Sequence, residues 1–303
     1  MPPGRANSAE QNGSPSRLAQ FWKTTNAPDY FGFIGLMLGW ILIDTLVTPF
    51  HRMFAINDLR ISFPHTEHER VPVSWNFAYA LFLPLGVLIV YNLFARSSLV
   101  KHEATYLSFA ISVTLTQFLV DLIKNAVGRP RPDLLARCQP AAQTRPNTLV
   151  TIDVCTAPND ETLQDGWRSF PSGHSSFSFA GLGFLSLFLA GQLRIFNHSA
   201  GKRDLSRDLM CLLPVLGALL IAISRCEDYR HDVYDVSVGS IIGITIAYWS
   251  YRRHWPKLSS PACDEPQPPP SPESPPGWQR VRDEEEAVTA ATSHGYPLDE
   301  RIS

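Results

Sequence analysis

The sequence predicts an all-α fold: an integral membrane six-transmembrane-helix bundle with disordered N- and C-terminal tails. Three observations predict it. Six apolar runs of near-spanning length recur between residues 30 and 252. The chemically useful charges of that stretch gather at the edges of the runs rather than along helix faces. The two ends differ from the middle in composition: residues 1–29 are rich in Pro, Ser, Asn and Gly, and residues 256–303 hold ten of the 25 prolines and the acidic run Asp283-Glu284-Glu285-Glu286. The mean hydropathy of −0.05 resembles a soluble protein only because these ends dilute an apolar middle.

A membrane-spanning helix needs about 20 apolar residues. The runs are 30–50, 75–95, 104–127, 175–193, 209–224 and 233–251. The first is expected to direct insertion itself, since no short apolar core with a small-residue cleavage site precedes it. The fifth is the shortest, and the sixth carries Asp235 in its first turn. Six such runs within about 220 residues argue against a soluble helical domain, whose helices need polar faces. Neither end can bury enough apolar surface to order itself. The expected organisation is therefore a disordered tail over 1–29, a six-span domain over 30–252, and a disordered Pro-rich, acidic tail over 253–303. A net charge of −2 gives no sign of nucleic-acid binding.

Six crossings put both termini on one side. Lys and Arg divide almost evenly between the two sides of this topology. Arg129 and Arg131 belong to a motif, however, and the loop 128–171 is long enough to blunt the positive-inside rule, so cytosolic termini are favoured. Cys138 and Cys155 share that long loop. In an oxidising lumen they could pair, worth about 3 kcal/mol by loop entropy. Two free thiols are the alternative, with Cys226 a rival partner on the same face. Cys211 reads as helix packing, and no spacing resembles a zinc site.

Three motifs hold the chemistry: 124–132 (Lys-Asn-Ala-Val-Gly-Arg-Pro-Arg-Pro), 171–174 (Pro-Ser-Gly-His) and 224–235 (Ser-Arg-Cys-Glu-Asp-Tyr-Arg-His-Asp-Val-Tyr-Asp). They lie at the exit of span three, the entry of span four, and across the turn between spans five and six. All three therefore fall on one face of the membrane, lumenal or extracellular if the termini are cytosolic. The organelle is not readable; vacuole, endoplasmic reticulum, Golgi and plasma membrane all offer such a face.

His231 and Asp235 are four apart at a helix start, so they share a face. The carboxylate can hold one ring nitrogen protonated and leave the other free as nucleophile or base. A solvated polar loop is the plainer reading of that pair. Pro-Ser-Gly before an apolar helix reads as a helix start: Ser172 is an N-cap, Gly173 allows close approach, and His174 stands at the positive end of the helix dipole. Lys124 ends span three, with Asp121 one turn earlier as a possible partner. Pro130 and Pro132 stiffen the chain around Arg131. Arg225 supplies a third fixed cation. A guanidinium binds phosphate oxygens bidentately, whereas Lys acts as a point charge. Singly, each is a snorkelling interfacial cation; together with two histidines and a helix N-terminus they make a phosphate cradle.

Lys–six residues–Arg-Pro, then Pro-Ser-Gly-His, then Ser-Arg–five residues–His–three residues–Asp resembles the three-part signature of the type 2 phosphatidic acid phosphatase superfamily. The resemblance spans residues 30–252 without a substitution at a signature position. Arg-Pro-Asp133 and the run Arg168-Ser169-Phe170 look most like the fungal diacylglycerol pyrophosphate and lipid phosphate phosphatases. The resemblance implies that His231 attacks phosphorus, Asp235 orients it, and His174 protonates the leaving group. Lys124, Arg131, Ser172, Gly173 and Arg225 would bind phosphate. No metal or other cofactor is implied. The expected substrates are diacylglycerol pyrophosphate, phosphatidate and lysophosphatidate, held in the bilayer by their tails. Sphingoid-base or polyisoprenyl phosphates are the alternative substrates. A silent lipid-phosphate binding or transport protein is the alternative of another class.

Overall fold

Six long helices run through residues 25–196 and 204–267, the part of the chain that this computed structural model describes: α1 (Ala27–Leu46), α2 (Val73–Phe94), α3 (Leu99–Val127), α4 (Gly173–Gln192), α5 (Leu205–Glu227) and α6 (Val233–His254). The described residues contain no strand, only the isolated bridges Phe54–Val150 and Pro140–Cys155. The all-helical expectation holds. Helices α1 to α5 are long and apolar enough to cross a membrane. Helix α6 is also long, at 22 residues. It is not one of those five, because Asp235 and a series of small and hydroxylated residues dilute its apolar content.

The outer surface is what a lipid-facing bundle requires. No residue of α1 is buried, and its Phe31, Ile34, Leu38 and Leu42 are each more than half exposed. Leu93 and Phe94 of α2 and Leu213 and Leu220 of α5 also face outward. Apolar surface on this scale suits a bilayer and is foreign to a soluble monomer. Helix α2 carries a π-helical stretch, Ala78–Phe82, just before Pro84. Proline has no N–H to return to the carbonyl of Ala80, so the turn widens there.

Helix α4 is the buried centre and packs on α6, α5 and α3. Its approach to α6 depends on glycine. A Cβ at Gly239 would sit 2.6 Å from the Ser172 carbonyl, and one at Gly243 would sit 2.2 Å from that of Ser176. The two backbones therefore touch, as small residues permit between membrane helices. An aromatic layer closes the end of the bundle remote from the three motifs: Tyr251 stacks on Trp255 at 5.8 Å, and Phe188 meets Trp255 edge-on at 5.4 Å.

That layer alters the expected C-terminal boundary. Trp255 and Cys263 are fully buried. The Asp264 carbonyl accepts from Lys101 Nζ at 2.6 Å, and the Asp264 carboxylate pairs with Arg194 at 2.8 Å. Residues 253–267 thus belong to the folded body, since Trp255 extends the aromatic stack beyond the last apolar run. The remainder of the expected tails, 1–24 and 268–303, lies outside the described residues.

At the other end, residues 47–72 and 128–172 form a small cap. Its core is Phe54, Ile61, Leu134, Leu163 and Trp167, with the Cys138–Cys155 disulfide beside it. Trp167 Nε1 donates to the Arg52 carbonyl at 3.0 Å, tying the two segments together. Cys211, Cys226 and Cys263 are free, so the rival pairing through Cys226 is not formed. The cap meets the bundle at Gly128, which ends α3 with φ 55°; a Cβ there would lie 1.7 Å from the Phe50 carbonyl. Only glycine meets both demands.

Two outcomes test this packing. Alkylation of the denatured chain without reductant should label three cysteines, and with reductant all five; five labels without reductant would remove the bridge. Gly128→Ala should lower stability by more than about 1 kcal/mol, read as a lower unfolding midpoint in detergent, because it meets both positive φ and a backbone clash.

Candidate active site

The first motif is set by how α3 stops. The Gly128 N–H donates to the Lys124 carbonyl, and the Phe50 N–H donates to the Asn125 carbonyl at 2.9 Å. Lys124 is buried in the last turn and lines the cavity described below. Asp121, the partner expected for Lys124, is used elsewhere: it accepts from Trp40 Nε1 at 2.9 Å and lies 3.5 Å from Arg168. Beyond Gly128 the two prolines carry the chain to Arg131. Its N–H donates to the Gly166 carbonyl at 2.8 Å, and its Nη2 pairs with Asp165 at 2.7 Å.

The second motif enters α4 through a cis Phe170–Pro171 bond. Ser172 caps the helix, its Oγ accepting from the Ser175 N–H, and the side chain is fully buried. Its hydroxyl oxygen accepts from the Ser175 N–H and hydroxyl, and Ser172 is not among the residues lining the cavity described below. Its N–H donates to the Asp235 carbonyl at 2.9 Å, locking the second motif to the third. A Cβ at Gly173 would stand 2.9 Å from Lys124 Nζ, so glycine makes room for the ammonium. His174 Nε2 is buried with no hydrogen-bond partner among the described residues.

The third motif is a Schellman turn. Tyr229 takes φ 53°, the Arg230 N–H donates to the Arg225 carbonyl, and the Tyr229 N–H donates to the Cys226 carbonyl. Stacking of Tyr229 on Phe63, at 4.5 Å, helps offset the unfavourable φ. The turn folds His231 back beside Arg225, and its N–H also reaches the Arg225 carbonyl, at 3.3 Å. Helix α6 then starts with a capping box between Asp232 and Asp235.

His231 Nδ1 lies 2.7 Å from the Ser169 carbonyl. A carbonyl only accepts, so Nδ1 carries the proton and Nε2 the lone pair. Burial, reinforced by Arg131, Lys124 and Arg225, holds the ring well below the ordinary imidazole range. The ring is therefore neutral at neutral pH and protonates only as pH falls below that range. Asp235 was expected to make this contact but stands 3.8 Å from Nδ1. Its carboxylate instead accepts from Arg129 Nη1 at 2.7 Å, Ser169 Oγ at 2.6 Å and the Asp232 N–H at 3.1 Å. Asp235 holds Ser169, and Ser169 holds His231.

Lys124, Arg131, Gly173, His174, Arg225 and His231 share one cavity of about 530 Å³. Six of the eight expected residues thus meet in one place, and the other two, Ser172 and Asp235, brace it from behind. Arg225 is anchored by the Val71 carbonyl at 2.8 Å and by Glu69 at 3.0 Å. Burial alone would raise the Asp165 carboxyl; Arg131, Arg137, Lys124 and Arg168 outweigh it and keep the group ionised below the usual carboxylate range. Sequence reasoning did not single out Glu69 or Asp165, which sit in the cap at no diagnostic spacing, and it noted Arg129 only as a member of the first motif, with no role at Asp235. Ser169 was noted only as part of a run beside the second motif.

A neutral, oriented imidazole facing three fixed cations, a second imidazole and a helix N-terminus is equipped to bind an anion and attack it. Comparison with other proteins agrees in kind. The chain is 42% identical over 245 residues to a probable diacylglycerol pyrophosphate phosphatase 1 of Schizosaccharomyces pombe, covering 80% of this chain and 86% of that one. It is 44% identical over 217 residues to diacylglycerol pyrophosphate phosphatase 1 of Saccharomyces cerevisiae, covering 70% and 74%. It is 36% identical over 221 residues to lipid phosphate phosphatase 2 of Arabidopsis thaliana, covering 73% and 74%. No solved structure matches it. Residues 105–259, the stretch that contains all three motifs and the whole of α4, α5 and α6 between them, match the PAP2 superfamily, and the chain belongs to it.

Proposed function

We propose that this protein is an integral-membrane lipid phosphate phosphatase that works without magnesium through a phosphohistidine on His231. The observation that carries the proposal is the neutral His231, its Nε2 unprotonated, in the same cavity as Lys124, Arg131, Arg225 and His174. Nε2 attacks phosphorus, an N–P bond forms, and the P–O bond to the leaving group breaks. His174 gives that oxygen its proton. Water then attacks the phosphohistidine, losing its proton to His174, and inorganic phosphate leaves. Lys124, the two guanidinium forks and the Gly173 N–H at the start of α4 stabilise charge gathering on the non-bridging oxygens. These cations fill the electrostatic role that a metal would otherwise take.

Diacylglycerol pyrophosphate, phosphatidate and lysophosphatidate are the substrates. The names carried by the two yeast relatives support the first, and that of the plant relative supports the wider class. Helix α6, at 22 residues, is about 33 Å long and suffices for a sixth crossing. Six crossings put both termini on one side and the cap on the other; the side assigned to the termini is the cytosol. The Cys138–Cys155 disulfide supports that assignment, because disulfides persist where the environment oxidises.

Phosphate release in mixed micelles tests the mechanism. His231→Ala should cut release at least about 10³-fold, and EDTA should leave the wild type unchanged. Near-wild-type activity in the variant, or loss in EDTA, would overturn it. His174→Ala should lose less on diacylglycerol pyrophosphate than on phosphatidate, because a phosphate leaving group needs a proton less than an alkoxide does. The ratio of the two losses is the readout.

A further inference from the structure

The cavity holds more cations than a single phosphoryl group needs. Besides Lys124, Arg131 and Arg225, it is lined by Arg137, Arg168 and Arg230. Two of these extra three are committed. Arg137 Nε donates to Asp133 at 3.0 Å and its Nη1 to the Thr162 carbonyl at 2.7 Å. Arg230 pairs with Glu69 at 2.5 Å. Arg168 differs. Its guanidinium makes no polar contact under 3.5 Å among the described residues: it stands 3.5 Å from Asp121 and 3.7 Å from Asp44. Two loose acidic neighbours hold it in place without saturating its fork, so it can turn to another anion at little cost.

Its position gives that capacity a direction. His231 and Arg225 line the cavity, and so do Trp40 and Asp44 of α1. Helix α1 has no buried residue, so the Trp40 and Asp44 side is the side open to lipid. Arg168 stands between Asp121 of α3, at 3.5 Å, and Asp44 of α1, at 3.7 Å. It therefore occupies the α1 side of the cavity that it shares with His231. Gln117 also lines the cavity, and its Oε1 is buried without a hydrogen-bond partner among the described residues.

We infer that Arg168 binds the inner phosphate of a diphosphate headgroup, with the outer phosphate at His231 and the lipid leaving past Trp40. The inference rests on the lipid-phosphatase reading of the same cavity. A diphosphate carries a second anionic centre next to the first, and Arg168 supplies a bidentate donor for it. A monophosphate places only its ester oxygen and glycerol there and gains little. Arg168 is thus a specificity-determining residue, distinct from the groups that act on the reacting phosphorus.

The test is kcat/KM of Arg168→Gln and Arg168→Lys for diacylglycerol pyrophosphate and phosphatidate, measured on the same preparation. The ratio between substrates cancels differences in folded fraction. Arg168→Gln should lower the diphosphate value at least tenfold more than the monophosphate value, and Arg168→Lys should recover part of the ratio. An unchanged ratio, or equal losses on both lipids in both variants, would overturn the inference and assign Arg168 to tethering Asp44 and Asp121. If the wild type released phosphate from neither lipid, the underlying lipid-phosphatase reading would fail instead.

Discussion

Every polar atom that Asp235 offers beyond its own helix is tied to a different part of the site. One carboxylate oxygen takes Arg129 from the first motif, and the other takes the Ser169 hydroxyl beside the second and the Asp232 N–H within the third. Its backbone carbonyl takes the Ser172 N–H. The residue is fully buried. A buried carboxylate is tolerated only when fully hydrogen-bonded, and removing its partners leaves an uncompensated charge. The requirement to satisfy this one group brings three distant stretches of chain to a common point. His231 inherits its orientation from that junction through the Ser169 carbonyl.

The same accounting governs the cavity. Lys124, Arg131 and Arg225 are all buried, and like charges so close together would repel and resist desolvation. Asp165 balances Arg131 and Arg137; Glu69 balances Arg225 and Arg230. Both carboxylates come from segments outside the long helices, so the cap is an electrostatic counterpart to the bundle as well as a lid of packed side chains. The disulfide and the Trp167 contact stiffen the cap that carries Asp165. A phosphate entering the cavity competes with these carboxylates for the same guanidinium forks, which fits a site that must bind an anion and then release it.

Much of this was legible in the sequence, for identifiable reasons. Apolar runs of bilayer length announce helices whatever their neighbours, because backbone polar groups in lipid must be satisfied within the helix. The N-cap at Ser172 and the helix start at Asp232 follow from local hydrogen-bonding chemistry. Lys124, Arg131, His174, Arg225 and His231 stood out because charge at a membrane boundary is costly and needs a reason. The role of Asp235 was legible only in part. Four-residue spacing places it on the face of His231, yet spacing cannot tell whether a carboxylate meets the ring or meets the group that meets the ring. Ser172 likewise has one hydroxyl, and nothing local decides between helix cap and ligand.

Near neighbours in the chain were enough to announce the helices and the side chains able to do chemistry, and they placed the end of α3 and the start of α6 to the residue. Contacts between distant segments settle the rest: Ser169, rather than Asp235, holds the His231 proton, Asp165 and Glu69 neutralise the cradle, and residues 253–267 close the far end of the bundle. These outcomes depend on which groups must share a buried space. Carboxylates in the short segments of the cap carry no periodicity, and a Trp beyond the last apolar run carries no sign of what it will stack on. Their partners are chosen by desolvation across the fold.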